Sequence, residues 1–252
     1  MGRMSFVRVI PGWAEDLWLR RVVGADMPGD LELPQEVFTT FLSAPRDVCP
    51  GFDGPDHLWK GRGGDHPRYG RFCYALARAM RPGLVVEVGS FAGGTAVGWA
   101  RALQENGEGR LVCVDNDSYA AGSYPEKTRE NIARVGLAAE RVSFRNGDAR
   151  EVLPRLTEEH PREADIYLVD ADHTYEGASA DLEMADDLVR PGGLVLVHDV
   201  DPGWEMGEAT PEHPHPVLEA FREKAEGEGW SWTILTFIRK HLGVLQVGQG
   251  GP

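Results

Sequence analysis

Two short polar clusters in this chain carry the residue types of a reaction centre. Asp170 and His173 follow one apolar run, and His198 and Asp199 follow another. Carboxylate oxygens are the ligands that a hard divalent cation prefers. An imidazole with an ordinary pKa of about 6.5 can take up a proton at neutral pH. The two clusters therefore predict a centre that binds a cation and removes a proton.

A glycine-rich turn follows a third apolar run, and its spacing favours a ligand without a phosphate group. Gly89 and Gly94 fit the outer positions of a dinucleotide fingerprint, but Phe91 would obstruct a pyrophosphate at the middle position. The Lys-Ser/Thr pair of a P-loop is also missing. The pattern from Glu87 to Gly93 places a carboxylate where it can meet a cationic group. The alternative is a turn that needs glycine only for its positive φ.

Four apolar runs in succession end at or beside an acid, namely Glu87, Asp115, Asp148 and Asp170. Asp115 suits the diol of a ribose, and Asp148 suits an exocyclic amine. A single acid of this kind is often a helix N-cap, and Asp148 before Ala149 could be only that. Ligands of an open parallel sheet bind outside the carboxyl ends of its strands. We therefore expect the four acids to line one crevice.

Alternating strand and helix patterns must position these residues. The periodicity predicts a helix over Tyr69–Met80, and strands alternate with helices from Leu84 onward, with Pro191–Gly193 closing one helix. Such alternation gives a parallel sheet through right-handed crossovers. The last two strands, Trp230–Ile238 and Leu242–Val247, are too close for a crossover helix, so they are predicted to form an antiparallel hairpin at the sheet edge.

Residues 1–68 are predicted to form a helical and loop extension that precedes a domain spanning 69–252. Residues 13–23 and 34–42 have the periodicity of short amphipathic helices, whereas 43–68 is rich in proline and glycine. Such proline- and glycine-rich stretches favour turns and loops. The organisation is therefore one domain with an N-terminal extension.

The composition is typical of a soluble cytoplasmic enzyme. The chain has 252 residues, of which 42% are hydrophobic, enough to bury roughly 70–75% of the unfolded surface. Its net charge of -14 argues against nucleic acid as a partner. The three cysteines form no C-x-x-C pair, which favours a reducing compartment, and Cys113 is expected in the core. The apolar segment 6–10 is too short for a signal peptide, and no run reaches a membrane span.

The order of these motifs, from about Leu84 to about Val247, resembles that of the class I S-adenosylmethionine-dependent methyltransferases. The resemblance implies an α/β fold with a Rossmann-like seven-stranded sheet, mostly parallel, that ends in the antiparallel hairpin. It implies S-adenosylmethionine as the cofactor. The implied cofactor-binding residues are Glu87, Gly89, Ser90, Gly93, Thr95, Asp115, Asn116, Asp148, Ala149 and Asp170.

The two polar clusters further resemble those of metal-dependent small-molecule O-methyltransferases. That resemblance implies Asp170, His198 and Asp199 as ligands of magnesium or manganese, although relatives usually carry an acid where this chain has His198. The Asp-x-x-His spacing resembles antibiotic-sugar O-methyltransferases, which implies His173 as the general base beside the metal. Asp170 and His198 complete the predicted catalytic set, and His198 is the alternative base if it does not bind the ion.

The predicted function is methyl transfer to a hydroxyl of a small molecule, first a sugar or glycosylated natural product and second a catechol-like aromatic. The alternatives are a metal-free N- or C-methyltransferase and a non-catalytic cofactor-binding protein. We expect neither a nucleic acid nor a membrane as a partner, and we expect a homo-oligomer, a dimer or higher. The resemblance implies that the extension covers the substrate and builds oligomer contacts.

The loop that follows the fifth strand is long for a connection between a strand and a helix. It spans 201–215 and contains Trp204, which could stack on a sugar or an aromatic ring. His213 and His215 stand between prolines in this loop, and we expect them to be solvated. Tyr175, just after the first polar cluster, could contact the cofactor or simply pack.

Overall fold

A computed structural model describes residues 31–45, 47–52, 66–116, 124–200, 209–237 and 240–248. The strands are β1 (Leu84–Val88), β2 (Arg110–Asp115), β3 (Val142–Asn146), β4 (Ala164–Val169), β5 (Val189–His198), β6 (Ser231–Phe237) and β7 (Lys240–Gln246). The helices are α1 (Gln35–Ser43), α2 (His66–Met80), α3 (Ala96–Asn106), α4 (Tyr124–Arg134), α5 (Ala149–Glu159), α6 (Tyr175–Glu183), the short α7 (Ala185–Leu188) and α8 (Pro216–Glu228). The predicted helix over 13–23, most of the 43–68 stretch and Trp204 lie outside the described residues.

The described strands form one seven-stranded sheet in the order β3-β2-β1-β4-β5-β7-β6. Strands β1 to β5 pair in parallel, and β7 pairs antiparallel with both β5 and β6. The predicted fold class is confirmed, including the C-terminal hairpin. Because β1 lies between β2 and β4, the topology brings the ends of β1, β2, β4 and β5 to one edge.

Two apolar cores cover the two faces of this sheet. Along β1, Val85 faces one core, while Val86 and Val88 face the other, as expected for side chains that alternate along a strand. Residues of α1 to α4 complete the first core, and residues of α5 to α8 complete the second. A parallel sheet covered on both faces explains why its central strands are almost entirely apolar.

Helices α2 and α3 cross closely because each carries a glycine at the crossing. A Cβ built on Gly98 would lie 2.1 Å from the carbonyl oxygen of Gly70, and one on Gly70 would lie 2.6 Å from that of Gly94. No larger residue fits either position without moving a backbone. This crossing fixes α2 over the sheet and thereby places the residues at its beginning near the carboxyl ends of the strands.

The predicted role of Pro191–Gly193 as the end of a helix is wrong. The helix already ends at Leu188, and these residues lie inside β5. There β5 carries extra residues, since Ala164 pairs with Val189 but Ile166 pairs with Leu194. A bulge tolerates proline because the extra residues leave the hydrogen-bond ladder.

Three arginines of the domain bind the main chain of the segment 41–52, which belongs to the predicted extension. Arg71 donates to the carbonyls of Phe41 and Ala44, at 3.0 and 3.2 Å. Arg101 donates to two further carbonyls of this segment at 3.1 Å, and Arg134 donates to a third. This part of the extension is therefore packed on the domain. None of the described helices is both long enough and apolar enough to cross a membrane.

Candidate active site

The ends of the adjacent strands β4 and β5 bring the two polar clusters together, as the sequence predicts. His198 is the last residue of β5, and its Nδ1 lies 3.0 Å from Oδ1 of Asp170 and 3.1 Å from Oδ1 of Asp199. His173 is also present, with its Nε2 3.4 Å from the same oxygen of Asp170. One aspartate thus contacts both histidines.

Exposure decreases from the mouth of this cluster to its floor. The side chain of His173 is 20% exposed and that of Asp170 13%, whereas that of Asp199 is 8% and that of His198 4%. His173 is therefore the group that an incoming molecule meets first. The ligating atoms of Asp170, His173 and His198 all lie within 4.8 Å of one another, close enough to hold one metal ion.

The cluster shifts the pKa values of its own members. Burial acts to lower the pKa of His198, but the charges of Asp170 and Asp199 outweigh it and raise that pKa to about 10. Burial likewise acts against the charge on Asp170, yet the two histidines hold its pKa below the ordinary value. Burial also acts to lower the pKa of His173, but its hydrogen bond to Asp170 and the charges of Asp170 and Asp199 together outweigh burial and raise that pKa. Without a bound cation, the cluster is a compact set of opposite charges.

The most buried end of the cluster has two features, a strained backbone at Asp199 and an aromatic contact with His198. Asp199 adopts a φ of 56° in the left-handed region, which is costly for a residue other than glycine. The ring of Tyr69, in α2, packs edge-on against the ring of His198 with centroids 4.5 Å apart. Sequence reasoning missed Tyr69, because its contact depends on how α2 crosses α3 and no motif marks it.

The glycine-rich turn lies directly against the end of β4. Gly89 has a φ of +86°, and a Cβ built on it would lie 1.8 Å from the carbonyl oxygen of Asp170. Gly93 has a φ of +84°. Both positions therefore need glycine for their backbone conformation. This agrees with the alternative stated from the sequence, a turn that needs glycine for its positive φ. The turn and the polar cluster are therefore in contact, so a ligand held by the turn would lie beside the cluster.

Glu87 is fully buried, near Ser90, Thr95 and Trp99, between the turn and α3. Burial raises its pKa to about 8, and the polar groups of these three residues reduce that shift. Among the described residues, neither carboxyl oxygen accepts a hydrogen bond of good geometry. The acid is therefore largely protonated at neutral pH. Its predicted role towards a cationic group stays a prediction.

The remaining predicted cofactor residues lie at the ends of β2 and β3. Asp115 ends β2, and its Oδ2 accepts the N–H of Phe91 in the glycine turn at 2.7 Å. Asp148 caps α5 by accepting the N–H of Arg150 at 2.9 Å. The N-cap alternative for Asp148 is therefore confirmed. Asn116 follows β2 directly, and Ala149 begins α5. The part that each takes in binding a cofactor stays a prediction.

His213 is more than a solvated histidine. Its ring stacks on that of Tyr175 with centroids 3.8 Å apart, and its Nδ1 lies 2.8 Å from Oε2 of Glu219. The other oxygen of Glu219 accepts the N–H of His215. The expectation that His213 is merely solvated is therefore wrong, because the described part of the loop, residues 209–215, contacts α6 and α8. Tyr175 packs on His213, and its contact with the cofactor stays a prediction.

Comparisons with known proteins agree with this fold. Residues 86–200 match a family described as a methyltransferase domain. A catechol O-methyltransferase from Niastella koreensis is 33% identical over 134 residues, which cover 53% of this chain and 57% of that protein. A putative O-methyltransferase from Mycobacteroides abscessus is 28% identical over 161 residues, covering 62% and 68%. The match to the first relative thus spans little more than half of its length.

Solved structures share the fold over most of the chain. The O-methyltransferase TomG from Streptomyces achromogenes, involved in tomaymycin synthesis and solved in complex with SAM, superposes with a TM-score of 0.56 at 23% identity. The superposition covers 86% of this chain and 92% of TomG. An O-methyltransferase from Bacillus cereus in complex with SAH gives a TM-score of 0.57 at 22% identity, covering 84% and 89%.

The sheet order is that of a Rossmann-like fold, and residues 86–200, which include the glycine turn and the strand-end acids, are similar to a methyltransferase domain. The relatives described above are named O-methyltransferases, and this chain is similar to them over part of its length.

Proposed function

We propose that the protein transfers a methyl group from S-adenosylmethionine to a hydroxyl of a small molecule. The observation that carries the proposal is the cluster of Asp170, His173, His198 and Asp199 beside the glycine turn. The turn supports a cofactor without a pyrophosphate, and the cluster supports removal of a proton from the acceptor. The O-methyltransferase relatives support the choice of a hydroxyl.

His173 is the proposed general base. Its Nε2 contacts Asp170, so the tautomer that donates from Nε2 leaves Nδ1 able to accept a proton. The acceptor oxygen forms a bond to the methyl carbon as the bond from that carbon to sulfur breaks, and the hydroxyl proton moves to Nδ1 of His173. S-adenosylmethionine supplies the electrophilic methyl group when it is bound. The burial of His198 and Asp199 excludes water from the floor beneath this step.

A divalent cation, magnesium or manganese, is the proposed companion of this base. Two carboxylates and one imidazole are a suitable donor set, with Nδ1 of His198 3.0 Å and 3.1 Å from the carboxylate oxygens of Asp170 and Asp199. Atoms that bind one such cation at about 2.1 Å and at right angles lie roughly 3 Å apart. When bound, the cation would lower the pKa of the acceptor hydroxyl and orient it.

We propose a sugar or a glycosylated natural product as the first candidate acceptor. The Asp-x-x-His spacing of Asp170 and His173 supports it. A catechol-like aromatic is the second candidate, because the relative from Niastella koreensis is named a catechol O-methyltransferase. Both classes offer a hydroxyl with an oxygen neighbour, which a cation at the cluster would recognise in the same way.

An assay with methyl-labelled S-adenosylmethionine and matched panels of glycosides and catechols tests the acceptor class. We expect transfer to one panel, with the label on oxygen and with loss of turnover in excess chelator. Label on nitrogen or carbon without chelator sensitivity would favour a metal-free N- or C-methyltransferase. Cofactor binding without transfer to any acceptor would favour a non-catalytic protein.

We also propose a cytoplasmic homo-oligomer, a dimer or higher, with neither nucleic acid nor membrane as a partner. The three cysteines support a reducing compartment, because all are free and buried. The net charge of -14 supports the exclusion of nucleic acid. Light scattering of the purified protein tests the oligomeric state, and a monomer at all concentrations would contradict it.

A further inference from the structure

The glycine turn contains a residue whose backbone is strained. The N–H of Gly93 donates to the carbonyl of Ser90 at 2.7 Å, which closes a four-residue turn around Phe91 and Ala92. Phe91 has a φ of 46°. Glycine is the usual residue where a turn needs a positive φ at its first central position. A side chain there is unfavourable, so neighbouring contacts must hold this conformation.

Hydrogen bonds hold Phe91 from both sides. Its N–H donates to Oδ2 of Asp115 at 2.7 Å, and its carbonyl accepts from the hydroxyl of Thr128 at 2.5 Å. Thr128 lies in α4 and is 1% exposed. The strained residue is therefore fixed between the end of β2 and a buried hydroxyl.

Asn131, one helical turn after Thr128, binds the next carbonyl of the same turn. Its Nδ2 donates to the carbonyl of Ala92 at 3.0 Å, and the side chain is fully buried. Arg134 donates to Oδ1 of Asn131 at 2.9 Å and so sets the orientation of the amide. A Cβ built on Gly93 would lie 3.1 Å from Cγ2 of Thr128. The face of α4 is therefore fitted closely to the turn.

We propose that Thr128 is a positioning residue for the cofactor, and that its hydroxyl keeps Phe91 in the left-handed conformation. The proposal rests on the assignment of this turn to the methionine end of S-adenosylmethionine. Without the hydroxyl, Phe91 relaxes towards a negative φ, which rotates the adjoining peptides and displaces Asp115 as well. Cofactor affinity then falls, whereas the reaction cluster at β4 and β5 is untouched.

Calorimetry with S-adenosylhomocysteine tests the proposal on the full-length protein. Thr128→Val, which keeps the shape and removes the hydroxyl, is expected to raise the Kd about tenfold, as for the loss of one hydrogen bond worth roughly 1.4 kcal/mol. Thr128→Ser keeps the hydroxyl and is expected to restore the Kd to within about twofold of the wild type. In the steady state, the KM for S-adenosylmethionine rises, and kcat at saturating cofactor stays the same.

A double-mutant cycle with Phe91→Gly separates positioning from general stability, because glycine adopts a positive φ without strain. In the Phe91→Gly background, Thr128→Val is expected to change the Kd by less than about threefold. If Thr128→Val alone does not fold, a loss of more than about threefold between Phe91→Gly and Phe91→Gly/Thr128→Val still overturns the proposal. Thr157→Val is the matched control, since Thr157 also donates to a carbonyl, that of Pro154, away from the turn. Its Kd should equal that of the wild type.

An unchanged Kd in Thr128→Val, a failure of Thr128→Ser to restore it, or an equal loss in the Phe91→Gly background would each overturn the proposal. A wild-type protein that binds no S-adenosylhomocysteine would instead overturn the cofactor assignment. The two failures are therefore distinguishable.

Discussion

Two buried acids at the same edge of the sheet have opposite electrostatic states. Glu87 of β1 lies among neutral polar groups, and burial raises its pKa to about 8. Asp170, directly after the neighbouring strand β4, contacts two histidines that hold its pKa below the ordinary value. Glu87 is fully buried and the side chain of Asp170 is 13% exposed, but burial acts to raise the pKa of both acids, so the neighbouring histidines decide that Asp170 is the ionised one. Glu87 is therefore surrounded by neutral polar groups, whereas Asp170 is surrounded by charged ones.

The prediction with the largest expected effect concerns the charged cluster at the ends of β4 and β5. Asp199→Ala should reduce kcat below about one thousandth, because it removes a carboxylate from the proposed cation site and leaves His198 with one acid. Cofactor affinity should stay within about threefold, since the cluster faces the acceptor. Steady-state kinetics and calorimetry measure the two quantities. Excess chelator should reproduce the loss in the wild type, and magnesium or manganese should reverse it.

Full activity of the wild type in excess chelator would show that the cluster works through its own charges. In that case Asp199→Ala should still impair turnover, because the charge on His198 would then be poorly balanced.

His173→Ala has the next largest expected effect, a loss of kcat. A general base contributes typically about 10²–10⁴-fold, so kcat should fall by that order with little change in the KM of the acceptor. The free imidazole is the active form, so the kcat of the wild type should rise with pH through a histidine pKa. The variant should lose that inflection. His198→Ala is the comparison, and a near-normal His173→Ala with an unchanged pH profile would assign the base to another group.

Glu87→Gln tests the neutral environment of Glu87 through the pH dependence of the free energy of unfolding. The folded pKa of about 8 lies above the ordinary value of 4.5, so the stabilisation from the protonated acid is complete below pH 4.5 and is lost as pH rises to about 8. The wild type should therefore lose on the order of 2–4 kcal/mol more between pH 5 and pH 8 than Glu87→Gln. Urea unfolding at the two pH values measures this difference.

The same variant should bind S-adenosylmethionine at pH 7 within about threefold of the wild type, because glutamine resembles a protonated glutamate. A much larger loss of affinity would mean that Glu87 is ionised and meets a cationic group, as its position in the sequence suggests.

Asp115→Ala has the smallest expected effect of the series. It should weaken cofactor binding by about 1.5–3 kcal/mol, because charge-assisted hydrogen bonds to the ribose are lost. The N–H of Phe91 also loses its acceptor, so the turn loosens. Calorimetry with S-adenosylmethionine measures the change. Asp148→Asn is a useful comparison, since asparagine preserves the cap of α5 and removes the charge, and an unchanged affinity there would mean that the charge of Asp148 does not contribute to cofactor binding.

The polar cluster at the ends of β4 and β5 was predictable because the carboxyl ends of parallel strands lie at one edge of a sheet, whatever the details of packing. Asp170, His198 and Asp199 each follow an apolar run directly, so strand order alone brings them together. The glycine turn was predictable for the same reason. Its position after β1 required Gly89 to make room for the end of β4.

Features that depend on long-range packing were not predictable. Tyr69 reaches His198 only because glycines let α2 approach α3. The protonated state of Glu87 arises from burial, which the sequence does not give at the level of one side chain. The positive φ of Phe91 depends on Thr128, which is 37 residues away along the chain. Local propensity contains none of this information.

The way in which the segment 41–52 is attached affects which substitutions this segment tolerates. Arg71, Arg101 and Arg134 bind main-chain carbonyls of the segment, not its side chains. Every residue type offers a carbonyl, so surface positions of the segment can be exchanged without losing the attachment. The three arginines of the domain therefore determine this attachment. Variants with other surface side chains in this segment should therefore keep its attachment to the domain.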